Sequence, residues 1–256
     1  MNYADFHRRS LQDRDAFWAE QAKAIDWHKP FTQVCDYANP PFARWFVGGQ
    51  TNLCHNAVDR HAATHPDRNA LIWVSTEVEQ ERIYTFAQLQ REVETMAAIL
   101  QAQGVGQGDR VLIYMPMIPE AAFAMLACTR IGAIHSVVFG GFASVSLATR
   151  IEDAEPKVIV SADAGSRAGK VVPYKGLLDE AIRLSSHKPA KVLLVDRGLA
   201  PMERTAGRDM EYATLREQHR NAKVPCAWVD ATHPSYTLYT SGTTGKPKGV
   251  QRDTGG

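Results

Sequence analysis

The stretch Tyr239-Thr-Ser-Gly-Thr-Thr-Gly-Lys-Pro-Lys-Gly-Val250 concentrates more chemistry than any other part of the chain. Gly242, Gly245 and Gly249 let the backbone turn with positive φ and approach a ligand closely. Thr240, Ser241, Thr243 and Thr244 bring hydroxyl donors, and Lys246 and Lys248 bring two positive charges flanking the stiff Pro247. Flexible backbone, clustered donors and paired cations suit a polyphosphate. The order of residues excludes a Walker A loop, which needs Gly, four residues, then Gly-Lys-Ser/Thr. In this chain Gly245-Lys246 is followed by Pro247.

Two further stretches carry chemistry. In Val137-Val-Phe-Gly-Gly-Phe142 a hydrophobic run breaks on two glycines. That offers a backbone which a flat ligand can approach beside Phe139, or else a tight turn with core phenylalanines. In Ala164-Gly-Ser-Arg-Ala-Gly-Lys170, Arg167 and Lys170 sit three apart in a Gly-rich loop. The pair suits a phosphate monoester, or a solvated charged loop. Residues alone leave both readings open in each case. Of His55, His61 and His65, His61 and His65 lack a third ligand at a recognisable spacing, and a solvated helix face is the reading rather than a metal site.

These residues need a scaffold, and the hydrophobic pattern supplies one. Residues 70–74, 110–114, 133–139, 158–161, 191–195 and 234–239 read as strands. Residues 85–103, 119–131, 144–153 and 174–184 read as helices, with Thr85 as an N-cap and Gly104 and Gly132 as stops. Strands alternating with helices of this length predict an α/β fold, a mostly parallel sheet with flanking helices. Each chemistry-bearing stretch then leaves the end of a strand, where open α/β sheets hold their ligands. Ahead of the sheet, residues 1–30 read as helices with a capping box from Ser10 to Asp13, and Trp18 and Trp27 as packing residues. Phe42, Trp45 and Phe46 would share one face of a helix after an Asn39-Pro40-Pro41 turn, and residues 52–65 form a helix with Leu53, Ala57 and Val58 inward. Residues 196–209 read as a loop excursion.

Composition narrows the class. The 256 residues are 45% hydrophobic and 22% charged, with formal net charge +1, so neither nucleic acid nor an anionic membrane is expected as a partner. Residues 125–142 are interrupted by Arg130 and His135 and fail as a membrane span. The first residues lack the apolar core of a signal peptide, and Cys35, Cys54, Cys128 and Cys226 form no CxxC pair. A cytoplasmic protein with reduced thiols is the expectation. The phosphate-type loop lies close to Gly256, with little chain left to hold its far side, which suggests the front part of a longer protein.

The string 239–250 resembles the phosphate-binding signature of the adenylate-forming (AMP-binding) enzymes. Phe17-Trp-Ala-Glu-Gln-Ala22, Gly108-Asp-Arg-Val111, Tyr114-Met-Pro-Met117, Gly132-Ala-Ile-His-Ser-Val-Val-Phe-Gly-Gly-Phe142 and Ser161-Ala-Asp-Ala-Gly165 extend the resemblance over essentially the whole chain, to the acetyl- and propionyl-CoA synthetase branch. Past the loop, Gln251-Arg252-Asp253 with Gly255-Gly256 is similar to the propionate-specific members.

The resemblance implies an N-terminal extension over residues 1–50 and an incomplete AMP-binding domain over residues 51–256. It implies a ligase that joins a short carboxylic acid, propionate rather than acetate, to coenzyme A using Mg·ATP. It places Thr240, Ser241, Gly242, Thr243, Thr244, Gly245, Lys246 and Lys248 on the ATP phosphates, and Phe139, Gly141, Arg167 and Lys170 on coenzyme A. In acetyl-CoA synthetases the last of these positions is commonly Arg, so Lys170 supplies the charge without the fork. No catalytic residue and no protein metal ligand falls within these residues. The ribose-binding Asp, the lid domain and the adenylation lysine belong further along in the family, so this stretch alone is expected to be inactive. A non-catalytic nucleotide-binding module and a scaffold with a vestigial loop are the alternatives from other classes.

Overall fold

The structure, a computed structural model, describes residues 2–167, 169–240 and 247–256. In chain order the elements begin with α1 (Tyr3–Gln12), α2 (Arg14–Gln21), β1 (Gln33–Asn39), β2 (Phe42–Val47), β3 (Gln50–Thr51) and α3 (Arg60–Thr64). Next come β4 (Asn69–Ser75), β5 (Gln80–Thr85), α4 (Phe86–Ala102), β6 (Arg110–Tyr114), α5 (Pro119–Arg130), β7 (Ile134–Val138), α6 (Ser144–Ala154) and β8 (Val158–Ala162). The remainder is β9 (Gly165–Arg167), β10 (Lys170–Val172), α7 (Tyr174–Leu184), β11 (Lys191–Val195), β12 (Asp209–Glu211), α8 (Tyr212–His219), β13 (Val229–Asp230), β14 (Pro234–Thr240) and β15 (Lys248–Asp253).

Seven strands form the central sheet in the order β12-β11-β8-β6-β7-β14-β15. All neighbours are parallel except β14 and β15, which pair antiparallel from Pro234↔Asp253 to Thr240↔Lys248. A parallel sheet is stable only with both faces covered, and alternation within the strands meets that need. Val111, Ile113, Val158, Val160, Leu193 and Val195 pack with α4 and α5 on one face. Leu112, Tyr114, Ile159, Val192 and Leu194 pack with Leu147 and Ile151 of α6 and Leu178 and Ile182 of α7 on the other. Full burial of each such aliphatic side chain is worth roughly 1.5–3 kcal/mol.

Most expected elements are present, and the doubly covered, mostly parallel sheet is the predicted one. Thr85 caps α4 through a capping box completed by Gln88. Several expectations fail. Ser10 lies inside α1 and donates to the His7 carbonyl, 2.7 Å away; that helix is capped instead by Asn2, and the Asp13 side chain makes no capping bond. Phe42, Trp45 and Phe46 lie on β2, paired with β1, because Trp45 and Phe46 gather with Trp18, Trp27 and Phe31 from distant segments. In the helical stretch before β4, Cys54 and Val58 are buried while Ala57 is exposed. Residues 165–172 form the hairpin β9–β10 rather than a loop. β15 matches β14 residue for residue along most of its length, so Lys248 is held beside Thr240.

One buried ionic cluster joins the segments that flank the sheet. The Arg130 side chain, 3% exposed at the end of α5, donates from Nη1 to both oxygens of Asp59 at 3.0 and 2.9 Å and from Nη2 to Glu94 at 3.3 Å. Its Nε donates to the Val224 carbonyl at 2.5 Å. Asn52 adds bonds from its amide nitrogen to the carbonyls of Thr129 and Ala227, 2.8 and 2.7 Å away. Arg130→Ala would take the shared cation away from the buried Glu94 and the part-exposed Asp59, so it should cost roughly 3–5 kcal/mol. Urea unfolding followed by tryptophan fluorescence should show a lower midpoint with an unchanged slope.

Candidate functional site

Because β8, β6, β7 and β14 run parallel, their carboxyl ends open on the same edge of the sheet. Phe139-Gly140-Gly141-Phe142 follows β7 and the β9–β10 hairpin follows β8. Thr240 ends β14 and faces Lys248 as its Cα partner on β15. Ser241, Gly242, Thr243, Thr244, Gly245 and Lys246 lie outside the described residues.

At the end of β7 the chain turns over an aromatic floor. Tyr114 and Tyr174 pack with ring centroids 4.9 Å apart, and the Tyr114 hydroxyl donates to the Phe142 carbonyl at 3.2 Å. Burial, then the neighbouring Tyr174, pushes the Tyr114 phenol up to about 12, so it stays protonated and remains a donor. Space requires the first glycine of this turn, where the buried Tyr174 ring would block a side chain, while at the second only the movable ends of Arg167 and Phe139 stand close. A Cβ on Gly140 would lie 1.8 Å from the Tyr174 hydroxyl oxygen. One on Gly141 would lie 2.7 Å from both Arg167 Nη1 and the Phe139 ring.

Phe139, Gly141 and Arg167 are therefore brought together. The Arg167 guanidinium carbon stands 5.5 Å from the centre of the Phe139 ring, and Phe139 is 59% exposed, which rules out the reading of that ring as core. Lys170 is the Cα partner of Arg167 across the hairpin. Among the described residues neither cation has a carboxylate partner. An exposed aromatic ring, a bare glycine backbone and two uncommitted cations can stack a flat base and bind a phosphate beside it.

The strand leading into the loop is anchored by α6. Tyr239 donates its hydroxyl to Asp153 Oδ2 at 2.6 Å, and burial followed by that carboxylate pushes its phenol well above the ordinary range. Arg150 lies between the two turns, with its guanidinium carbon 4.3 Å from the Phe142 ring centre and 5.5 Å from that of Tyr239. It is 5% exposed and donates from Nη1 to the Ser146 carbonyl at 2.6 Å, and burial pulls its pKa down. Sequence reasoning overlooked Arg150 and Asp153. Their spacing on α6 was visible, but nothing in it pointed to an aromatic partner on a strand far along the chain.

A cleft of about 550 Å³ lies over β7, β14 and β15 beside the end of α6, lined by His135, Ser136, Asp153, Tyr239 and Gly249 among others. A hollow of similar size between α4, α8 and β5 is lined by none of the candidate site residues. His55 bonds Asp26 and packs on Trp228, His61 packs on Phe86, and His65 bonds Thr64, so the three histidines do not converge. No helix among the described residues is long and apolar enough to cross a membrane.

Comparison with known proteins gives the family. The family model described as AMP-binding enzyme matches residues 58–256, and the model for the acetyl-coenzyme A synthetase N-terminus matches residues 3–57. The chain belongs to the AMP-binding enzyme family. It is similar to the propionate–CoA ligases of Escherichia coli (strain K12) and Salmonella typhimurium, with 61% and 62% identity over all 256 residues. It is 46% identical over 258 residues to the acetyl-coenzyme A synthetase of Methylobacterium radiotolerans. Acetoacetyl-CoA synthetase from Streptomyces lividans superposes on the whole chain with a TM-score of 0.89 at 32% identity, over 39% of its own length. The chain spans 41% of the length of the two propionate–CoA ligases.

His135, on the strand that leads to this edge, offers a pH test of the packing. It is 9% exposed, its Nδ1 has no hydrogen-bond partner among the described residues, and burial pulls its pKa from 6.5 to about 4. The unfolded chain therefore takes up a proton that the folded chain refuses between those values. Stability should be complete above pH 6.5 and fall as pH drops toward 4, by about 3 kcal/mol at most. His135→Gln should flatten that slope in a pH series of urea titrations.

Proposed function

We propose that the whole protein is an AMP-forming acid–CoA ligase acting on propionate. The observation that carries this is the 61% identity to a propionate–CoA ligase along the full 256 residues, against 46% to an acetyl-coenzyme A synthetase. The geometry supports the same reading, since Thr240 ends β14 and the turn carrying Phe139 and Gly141 follows the neighbouring β7.

The chemical problem is that a carboxylate is a poor electrophile. In the first step a carboxylate oxygen of the acid attacks the α-phosphorus of Mg·ATP and pyrophosphate leaves. In the second, the thiol of coenzyme A attacks the acyl carbon, loses its proton, and AMP leaves. The protein contributes position and charge. Thr240 and Lys248, with Ser241, Gly242, Thr243, Thr244, Gly245 and Lys246, would grip the β- and γ-phosphates, and the lysines would offset charge growing on pyrophosphate. Tyr239, fixed by Asp153 and Arg150, sets where that grip begins. Phe139 and Gly141 would take the adenine end of coenzyme A, with Arg167 and Lys170 on its phosphates. Mg²⁺ would arrive as part of the nucleotide and be held mainly by phosphate oxygens and water. Residues 1–50 form the N-terminal extension of this arrangement and residues 51–256 part of its adenylation domain. We place the protein in the cytoplasm, where these substrates are found.

In the full-length protein, Lys248→Ala should slow propionate-dependent pyrophosphate release by roughly 10²-fold. Arg167→Ala should leave that step near normal and raise the KM for coenzyme A by about tenfold, the loss of one charge-assisted contact. The same kinetic defect in both variants would show that the two sites are wrongly divided. Because the relatives are more than twice as long, residues 1–256 alone are expected to release no pyrophosphate. Measurable turnover by that stretch would place the catalytic groups within it.

A further inference from the structure

Away from the sheet edge, two cysteines meet a carboxylate and a buried guanidinium. The sulfurs of Cys54 and Cys226 and a carboxylate oxygen of Asp59 all lie within 4.8 Å of one another. Arg130 Nη1 donates to Cys54 Sγ at 3.5 Å, and the Cys226 thiol donates to Asp59 Oδ2 at 2.8 Å. Cys54 is fully buried, whereas Cys226 is part-exposed, as is the Asp59 side chain at 14%. Three ligand atoms this close also describe a metal site. However, Arg130 occupies both Asp59 oxygens, and a cation would have to displace a guanidinium from a buried pocket. The same guanidinium favours an anion, and the anion available is a thiolate.

We propose that Cys54 and Cys226 are a redox pair that closes to a disulfide when the protein meets a hydroperoxide. The neighbouring Cys226 sulfur and then the Arg130 charge, whose Nη1 donates to Cys54 Sγ, hold the Cys54 thiol below its ordinary range. Cys226 is raised, so the proton of the pair resides there. Hydrogen peroxide is small enough to enter past the part-exposed Cys226 and Asp59. The Cys54 thiolate attacks one peroxide oxygen and the O–O bond breaks. The other oxygen leaves as hydroxide and takes up the proton that Cys54 had lost, giving water. Cys54 is then a sulfenic acid. Cys226 passes its proton to Asp59 and attacks the Cys54 sulfur, the S–S bond forms, and the sulfenic hydroxyl departs as a second water with the proton from Asp59. Two thiols have lost two electrons and the peroxide has gained them. The product ties the helical turn at residues 54–59 to the segment that enters β13. Cys35 and Cys128 are also buried but stand outside this cluster, and they serve as internal controls.

The test uses the purified chain, reduced, freed of reductant and exposed to one equivalent of hydrogen peroxide. Thiols are then alkylated in denaturant and peptides are mapped by mass spectrometry. The expected main product is a linked peptide pair containing Cys54 and Cys226, lighter than the reduced pair by two hydrogen atoms. Cys35 and Cys128 should be recovered alkylated. In Cys226→Ser the second attack is lost, so dimedone should label Cys54 at least tenfold more than in the unmutated chain. The inference is overturned if Cys54 and Cys226 are recovered mainly as alkylated thiols. It is also overturned if links through Cys35 or Cys128 form in comparable yield, or if dimedone labels Cys54 equally in both chains.

Discussion

The structure depends on strand direction. Five neighbouring strands of the central sheet, from β11 to β14, run the same way, so every connection between them must cross over a face. Those crossovers bury both faces, and the turns between strand and helix are left as the places where backbone and polar side chains reach solvent together. Phe139, Gly141, Arg167, Lys170 and Thr240 occupy such turns or the strand ends beside them. Their convergence follows from topology before any side-chain contact is considered. The antiparallel β15 then returns along β14 and pairs Lys248 with Thr240.

The Arg130 cluster solves a different problem. The segment before α3, the helices α4 and α5 and the stretch around Val224 share one apolar cluster, and polar groups of the same segments must be satisfied at its edge. One guanidinium with five donors can bind Asp59, Glu94 and the Val224 carbonyl at once. The exchange is specificity for solvation energy: a buried cation is tolerated because each of its directions is filled. Two sulfurs at the rim of such a charge are no longer inert core residues, which is why their chemistry differs from that of Cys35 and Cys128.

Much of the fold was legible in the amino-acid sequence where local signals agreed. Arg110–Tyr114, Lys191–Val195 and Tyr174–Leu184 have the expected bounds, since aliphatic runs and turn residues mark both ends. Signals failed where long-range packing decided the outcome. Phe42, Trp45 and Phe46 have helical spacing, but rings from Trp18, Trp27 and Phe31 hold Trp45 and Phe46 on a strand and leave Phe42 exposed. Gln80–Thr85 is largely exposed, polar and paired only with β4, so no hydrophobic pattern announced it. Gly165–Val172 looked like a loop because its glycines hid a short hairpin. At the candidate site, the residues that touch ligand in the proposed reading were marked by motif. Their supports were not: Arg150, Asp153, Tyr114 and Tyr174 acquire a role only when distant segments come together.

Arg150 has a consequence for how this edge can change. Its guanidinium is shared by a ring on the turn after β7 and a ring on the strand entering the next turn. A smaller side chain in place of either Phe142 or Tyr239 would let the shared cation shift, and the untouched turn would lose its backing as well. The two halves of the edge are thus not independently tunable. Redesign of one for a bulkier ligand demands a compensating replacement in the other, and single-position libraries built on either turn would under-sample the workable combinations.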